Sequence, residues 1–135
     1  MNYTCNFQVR GYELDSFGHV NNAVYLNYYE QARWLIMKEL GLLEYFKNSG
    51  GFLVVIRADL KFIKELHLLE EFTVYTTYKT EGFFVIFKQE IRNKNNDRVN
   101  TATVKCLLVN SEREPVDVPG VLKNNISSGN QNDKE

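Results

Sequence analysis

The sequence predicts an α+β domain in which an antiparallel sheet wraps one long helix, and three observations carry that prediction. One strand-like segment is followed by a single long, broadly apolar helical segment, and four further strand-like segments come after it. The strands alternate in polarity, so the sheet has one apolar face that must be covered. Only the helix is long enough to cover it. At 135 residues the chain fits one compact domain, expected over residues 1–120, with a polar, disordered tail over 121–135.

Each element follows from its spacing. Tyr3, Cys5, Phe7 and Val9 recur every second residue and read as a half-buried strand. A turn-rich loop follows, Asp15-Ser16-Phe17-Gly18 and then His19-Val20-Asn21-Asn22, in which either Asn is suited to cap a helix. The helix is predicted from about Ala23 to Leu40, because Tyr25, Tyr28, Tyr29, Ala32, Ile36 and Leu40 fall on one stripe that Leu26 and Leu35 widen. Gly41 ends it, and Leu42 to Asn48 add one more helical turn before Gly50-Gly51. In the next strand, Phe52 to Phe62, alternation places Val54, Ile56, Ala58, Leu60 and Phe62 on one face and Arg57, Asp59 and Lys61 on the other. Phe72 to Tyr78, the segment carrying Phe83, Val85, Phe87 and Ile91, and Arg98 to Asn110 complete the set, with turns at Glu81-Gly82 and Asn93 to Asp97. From Lys123 onward the chain is almost wholly polar. One copy of such a sheet leaves edges and aromatic surface exposed, which predicts self-association.

Composition narrows the function. A formal net charge of −1 and singly scattered cations such as Lys61, Lys64, Lys79 and Lys88 give no footprint for nucleic acid. Cys5 and Cys106 are too few for a disulfide framework and lack metal-ligand spacing with His19 or His67, so two reduced thiols and no metal are expected. The first ten residues lack the apolar run of a signal peptide, and no segment is long and apolar enough to span a bilayer. A cytoplasmic location is the resulting expectation.

The chemistry concentrates in Asp15 to Arg33. A carboxylate stands on a glycine-containing loop just ahead of a helix N-terminus, where free backbone N–H groups are available to hold a carbonyl oxygen as it gains charge. Asp15 is placed to attack that carbonyl or to activate water, His19 and Asn21 add polar contacts, and Gly18 permits close approach. The same residues also fit plain capping and turn roles, Glu30 and Arg33 fit a surface ion pair, and His67 falls in a polar turn. On residue chemistry alone both readings stand.

The stretch also fits the pattern D-x-x-G-H-V-N-N-x-x-Y-L-x-Y-x-E-x-A-R, met by Asp15, Gly18, His19, Val20, Asn21, Asn22, Tyr25, Leu26, Tyr28, Glu30, Ala32 and Arg33. In this it closely resembles the signature of hot-dog-fold acyl-CoA thioesterases of the 4-hydroxybenzoyl-CoA thioesterase-like group. A looser resemblance runs from about Phe7 to Pro119. The resemblance implies a five-stranded antiparallel sheet around the helix and an active site between two subunits of a homodimer or homotetramer. It also implies Asp15 as nucleophile or general base, the backbone N–H of about Asn22 on the thioester carbonyl, and Tyr25 facing the acyl group. The implied substrate is a small-molecule acyl-CoA, with no cofactor beyond it. The chain departs from the pattern in the turn Lys64-Glu65-Leu66-His67-Leu68-Leu69, where such proteins often carry Pro and Gly and where the resemblance implies a segment that helps shape the pocket and the pantetheine path. Coenzyme A bears phosphates, for which Arg57, Lys61 and Lys64 are candidate partners. A carrier-protein thioesterase and a non-catalytic acyl-binding domain are the alternatives, and a hot-dog dehydratase ranks below them because its Pro-rich spacing is missing.

Overall fold

The computed structural model describes residues 3–123, and its elements follow the expected order. Strand β1 (Tyr3–Gln8) leads through a short 3-10 turn (Gly11–Glu13) and the motif loop to helix α1 (Val24–Glu39) and helix α2 (Leu42–Ser49). Strands β2 (Phe52–Phe62), β3 (Glu71–Glu81), β4 (Phe84–Asn93) and β5 (Arg98–Val109) follow. All five strands pair antiparallel in the order β1-β3-β4-β5-β2, which leaves β1 and β2 as edges. Gly41, between the helices, has φ +73°, a left-handed conformation that a side chain disfavours, and this sets the break between α1 and α2.

Helix α1 lies against the inward face of the sheet and buries Tyr25, Tyr28, Tyr29, Ala32, Ile36 and Met37. Tyr28 packs against Phe72 with ring centroids 4.7 Å apart and against Phe7 at 5.6 Å, both pairs tilted, while Tyr25 meets Phe62 edge-on at 5.6 Å. Alternation holds along β3 and β4, where Phe72, Val74, Thr76 and Tyr78 and then Val85, Phe87 and Ile91 are buried. Leu26 and Leu35, expected to widen the buried stripe, are instead about half-exposed together with Trp34, so one flank of α1 is open in a single chain.

Strand β2 differs from its simple alternation. A bulge between Val55 and Arg57 makes Ile56 an extra residue, so Val55 sits opposite Cys106 and Arg57 opposite Lys105. The bulge shifts the phase of the first half: Leu53 and Val55 point inward, and Val54 does not. Beyond it, Ala58, Leu60 and Phe62 oppose the buried positions Val104, Ala102 and Asn100, and Arg57, Asp59 and Lys61 face outward as expected.

Packing continues past residue 120. Residues 120–123 form a helical turn in which Leu122 is fully buried and its carbonyl accepts a 2.8 Å hydrogen bond from the Tyr78 hydroxyl. The rest of the expected tail, 124–135, lies outside the described residues. Cys5 is half-buried and Cys106 buried, both free thiols, and burial pushes the Cys106 thiol up to about 11. Among the described residues no helix is long and apolar enough to cross a membrane.

Candidate active site

The motif loop is held at both ends before any chemistry enters. On the near side, Glu13 is buried within the 3-10 turn. Its carboxylate accepts the Arg10 N–H at 2.8 Å, the Arg10 guanidinium at 2.9 Å and the Tyr28 hydroxyl at 2.8 Å. The Glu13 carbonyl then takes the Asn21 N–H at 2.9 Å, which brings the two ends of the loop together. On the far side, the turn between β2 and β3 lies alongside. Val20 N–H donates to the Leu66 carbonyl at 3.0 Å, and His19 and His67 form an antiparallel bridge.

Within this frame Asp15 Oδ1 accepts the Phe17 N–H at 2.9 Å and the His19 N–H at 3.3 Å, an Asx turn that fixes the carboxylate. The backbone closes the same turn through Asp15 N–H to the His19 carbonyl at 2.8 Å and Gly18 N–H to the Asp15 carbonyl at 3.1 Å. Gly18 has φ +82°, and a Cβ there would meet nothing within 4 Å. Its backbone conformation therefore serves the left-handed turn of the motif loop, and no neighbouring protein atom crowds the space above it.

Neither asparagine caps α1 through its side chain. The cap position is Ala23, and Asn21, two residues ahead of it, accepts the Ala23 N–H on Oδ1 at 3.0 Å. Asn22 makes no hydrogen bond among the described residues, so its backbone N–H stands free at the head of the helix.

Asp15, His19, Asn22 and Tyr25 line one open cleft of about 640 Å³, which the β2–β3 turn completes with Phe62, Lys64, Glu65 and His67. Tyr25 is buried, and desolvation pushes its hydroxyl up to about 12, with a hydrogen bond to the Leu66 backbone partly offsetting that and the nearby carboxylates of Glu70, Glu65 and Asp15 adding to it. It therefore stays a neutral hydroxyl at physiological pH. Lys64 reaches the cleft wall and pairs with Asp97 at 3.1 Å, which holds the Asp97 carboxyl below its ordinary range.

The other two cations lie elsewhere. Arg57 pairs with Asp59 at 2.8 Å, and Lys61 lines a separate open cleft of about 700 Å³ on the outward sheet face, together with Asp59, Lys88, Glu90 and Arg92. The structure does not bring either to the Asp15 cleft of the same chain. The Glu30–Arg33 pair expected on the surface is also absent among the described residues. Arg33 turns inward, donates to Gln89 Oε1 at 2.9 Å and lies 5.9 Å from the centre of the Phe87 ring. Gln89 in turn donates to the Tyr29 carbonyl and to Thr76 Oγ1, each at 3.1 Å.

Sequence reasoning missed Glu13, Glu65 and His67 as neighbours of the motif. For Glu13 the i, i+3 spacing to Arg10 was a usable signal. For Glu65 and His67 the family resemblance pointed only to their segment, Lys64 to Leu69, as one that shapes the pocket, and the non-local bridge is what brings these two side chains to His19.

A second, smaller cavity of about 110 Å³ opens between α1, α2 and the first half of β2, lined by Trp34, Met37, Phe46, Leu53, Val55 and Phe87 with Arg33 at its side. It is apolar and placed at the exposed flank of α1.

The profile described as the thioesterase-like superfamily matches residues 9–126. The chain is 30% identical over 119 residues to the acyl-acyl carrier protein thioesterase ATL2, chloroplastic, of Arabidopsis thaliana, covering 86% of this chain and 63% of that protein. It is 31% identical over 67 residues to the long-chain acyl-CoA thioesterase FadM of Escherichia coli (strain K12), covering 50% of this chain and 51% of that one. Among solved structures, SAV2348 from Staphylococcus aureus, in complex with CoA, superposes with a TM-score of 0.89 at 18% identity, covering 98% of this chain and 85% of that chain. The chain thus spans less than two thirds of the plant relative's length, while the shared architecture is the hot-dog fold. With its profile match running from Val9 through nearly all the packed structure, the chain belongs to the thioesterase-like superfamily.

Proposed function

We propose that the protein hydrolyses the thioester of an acyl-CoA to the free acid and coenzyme A. The observation that carries this reading is the meeting, in one cleft, of a fixed Asp15 carboxylate and the free Asn22 N–H at the start of α1. The thioester carbonyl oxygen rests on that N–H, where the helix N-terminus favours negative charge. Asp15 then follows one of two routes. Its free oxygen attacks the carbonyl carbon, the thiolate departs, and water opens the resulting mixed anhydride. Alternatively it takes a proton from water, which attacks in its place. His19 and Asn21 act through the loop, His19 by its N–H on Asp15 and Asn21 by shaping the entry to α1. Tyr25 supplies a neutral hydroxyl and an apolar ring beside the acyl group. Lys64 is the cation assigned to the phosphate end, in preference to Arg57 and Lys61 on the outward face.

A second copy belongs in this reading. Edge strand β2 is 11 residues long and carries exposed Phe52, Val55, Ile56 and Phe62, next to exposed Ile63, Leu68 and Leu69 in the following turn. A long apolar edge of this kind invites strand pairing with a like chain. A carrier-protein thioester is the second reading, favoured by the resemblance to ATL2.

The test is thiol release from short, long and aromatic acyl-CoAs and from acyl-carrier protein, on wild type and Asp15→Asn together. The expected result is CoA-ester hydrolysis that falls by about 100-fold or more in Asp15→Asn, within the range of positioned acid–base or nucleophilic catalysis. Equal turnover by the two proteins would sink the assignment of Asp15, and turnover of carrier-protein esters alone would favour the second reading.

A further inference from the structure

We propose that His19, Glu65 and His67 form a binding site for a borderline divalent transition metal, with zinc as the best-fitting ion. Among the described residues these three side chains place one ligand atom each within 4.8 Å of one another. His19 Nε2 lies 3.2 Å and His67 Nε2 3.9 Å from the same oxygen, Oε2 of Glu65. Ligand atoms around a tetrahedral zinc with bonds near 2.0–2.2 Å are separated by roughly 3.3–3.5 Å. The first distance already meets that geometry, while the second and the His19–His67 separation, within 4.8 Å, close on the ion through side-chain rotation at these partly exposed residues.

The backbone supports the cluster. The two histidines face each other across an antiparallel bridge with ring centroids 5.3 Å apart at 84°, so their Cα positions are set by the fold. His67 is oriented further by Glu70. The Glu70 carboxylate accepts the His67 N–H at 2.9 Å and faces His67 Nδ1 at 3.6 Å. Glu70 thus stands on the Nδ1 side of the ring, which leaves Nε2 on the side of the ligand cluster, and a closure of about 0.5 Å would give the carboxylate–imidazole hydrogen bond that tunes metal-bound histidines. Two imidazoles and one carboxylate select zinc, nickel or copper over magnesium and calcium, which prefer all-oxygen shells. Three protein ligands leave the fourth position for water on the cleft side, because His19, Glu65 and His67 line the same cleft as Asp15.

This site is a statement about a cation and does not depend on thioester hydrolysis. The test is zinc titration of the tag-free full chain against a colorimetric chelator of micromolar affinity, with no acyl substrate present. One zinc per chain is expected, bound at least tenfold more weakly by His67→Gln and by Glu65→Gln. Both side chains are about 60% exposed, so both variants are expected to keep the wild-type melting temperature without zinc. Failure of the wild type to hold zinc against the chelator, or wild-type affinity in either variant, overturns the site.

Discussion

Tyr28→Phe isolates the buried contact that anchors the motif loop. The substitution keeps the ring, and so its packing on Phe7 and Phe72, and removes only the hydroxyl that donates to Glu13 Oε1 at 2.8 Å. Burial first, and then the Glu13 carboxylate, raise the Tyr28 hydroxyl well above its ordinary value, so it remains a proton donor across the working pH range. Glu13 is 6% exposed and would keep its two contacts from Arg10, a side chain about half in solvent. Hydrogen bonds to a charged group contribute about 1.5–3 kcal/mol, and the remaining Arg10 contacts place the expected loss at the lower end, about 2 kcal/mol. For a domain of this size that corresponds to a fall in melting temperature of roughly 6–10 °C. Urea unfolding followed by far-UV circular dichroism is the suitable assay, at fixed protomer concentration so that self-association does not enter. A loss below about 0.5 kcal/mol, the range of an ordinary surface change, would refute the view that Tyr28 and Glu13 act as a buried pair.

Three further outcomes are expected. Gly18→Ala should destabilise by about 1–2 kcal/mol through its left-handed backbone alone, since no neighbour obstructs a Cβ there, and Gly18→Asn should recover most of the loss in the same urea assay. Folding raises the Cys106 thiol to about 11 and the Tyr25 hydroxyl to about 12, so the folded chain keeps protons that the unfolded chain releases. Stability from these groups is complete below about pH 9 and is lost as pH rises toward 12, which melting temperatures taken from pH 8 to 11.5 should show as a plateau and then a decline. Light scattering on a sizing column should find the wild type as a dimer or larger, and Ile56→Lys, at the half-exposed bulge of the β2 edge, should shift it toward monomer. A monomeric wild type at tens of micromolar would remove the second copy from the functional reading.

Where burial repeats with a local period, the architecture was legible from residue spacing. The inward faces of β3 and β4 and the run of α1 follow from alternation and from the three-to-four-residue recurrence of Tyr25, Tyr28, Tyr29, Ala32 and Ile36. Three features were hidden for one reason, that each depends on a partner distant in the chain. The Ile56 bulge is a matter of register against β5, and it reversed the phase of half a strand. Arg33 looked like a surface cation until Gln89, an inward polar residue on β4, gave it a buried acceptor. The Asp15 loop was readable as a motif, yet its far wall comes from the β2–β3 turn, whose own sequence shows no bond to His19.

That turn also sets when the cleft can form during folding. It is pinned by Ile63 and Lys64, whose N–H groups both donate to the Val99 carbonyl at 3.0 Å at the start of β5, the last strand made. Strand β1, which leads into the Asp15 loop, pairs with β3 across a long stretch of chain, and β2 joins the sheet only through β5. Contacts of such long range form late and slowly. A nascent chain lacking Val99 therefore holds the whole signature and every residue that lines the cleft, yet not the strand start that pins the cleft's far wall, and the finished cleft should appear only with the final closing step of the sheet.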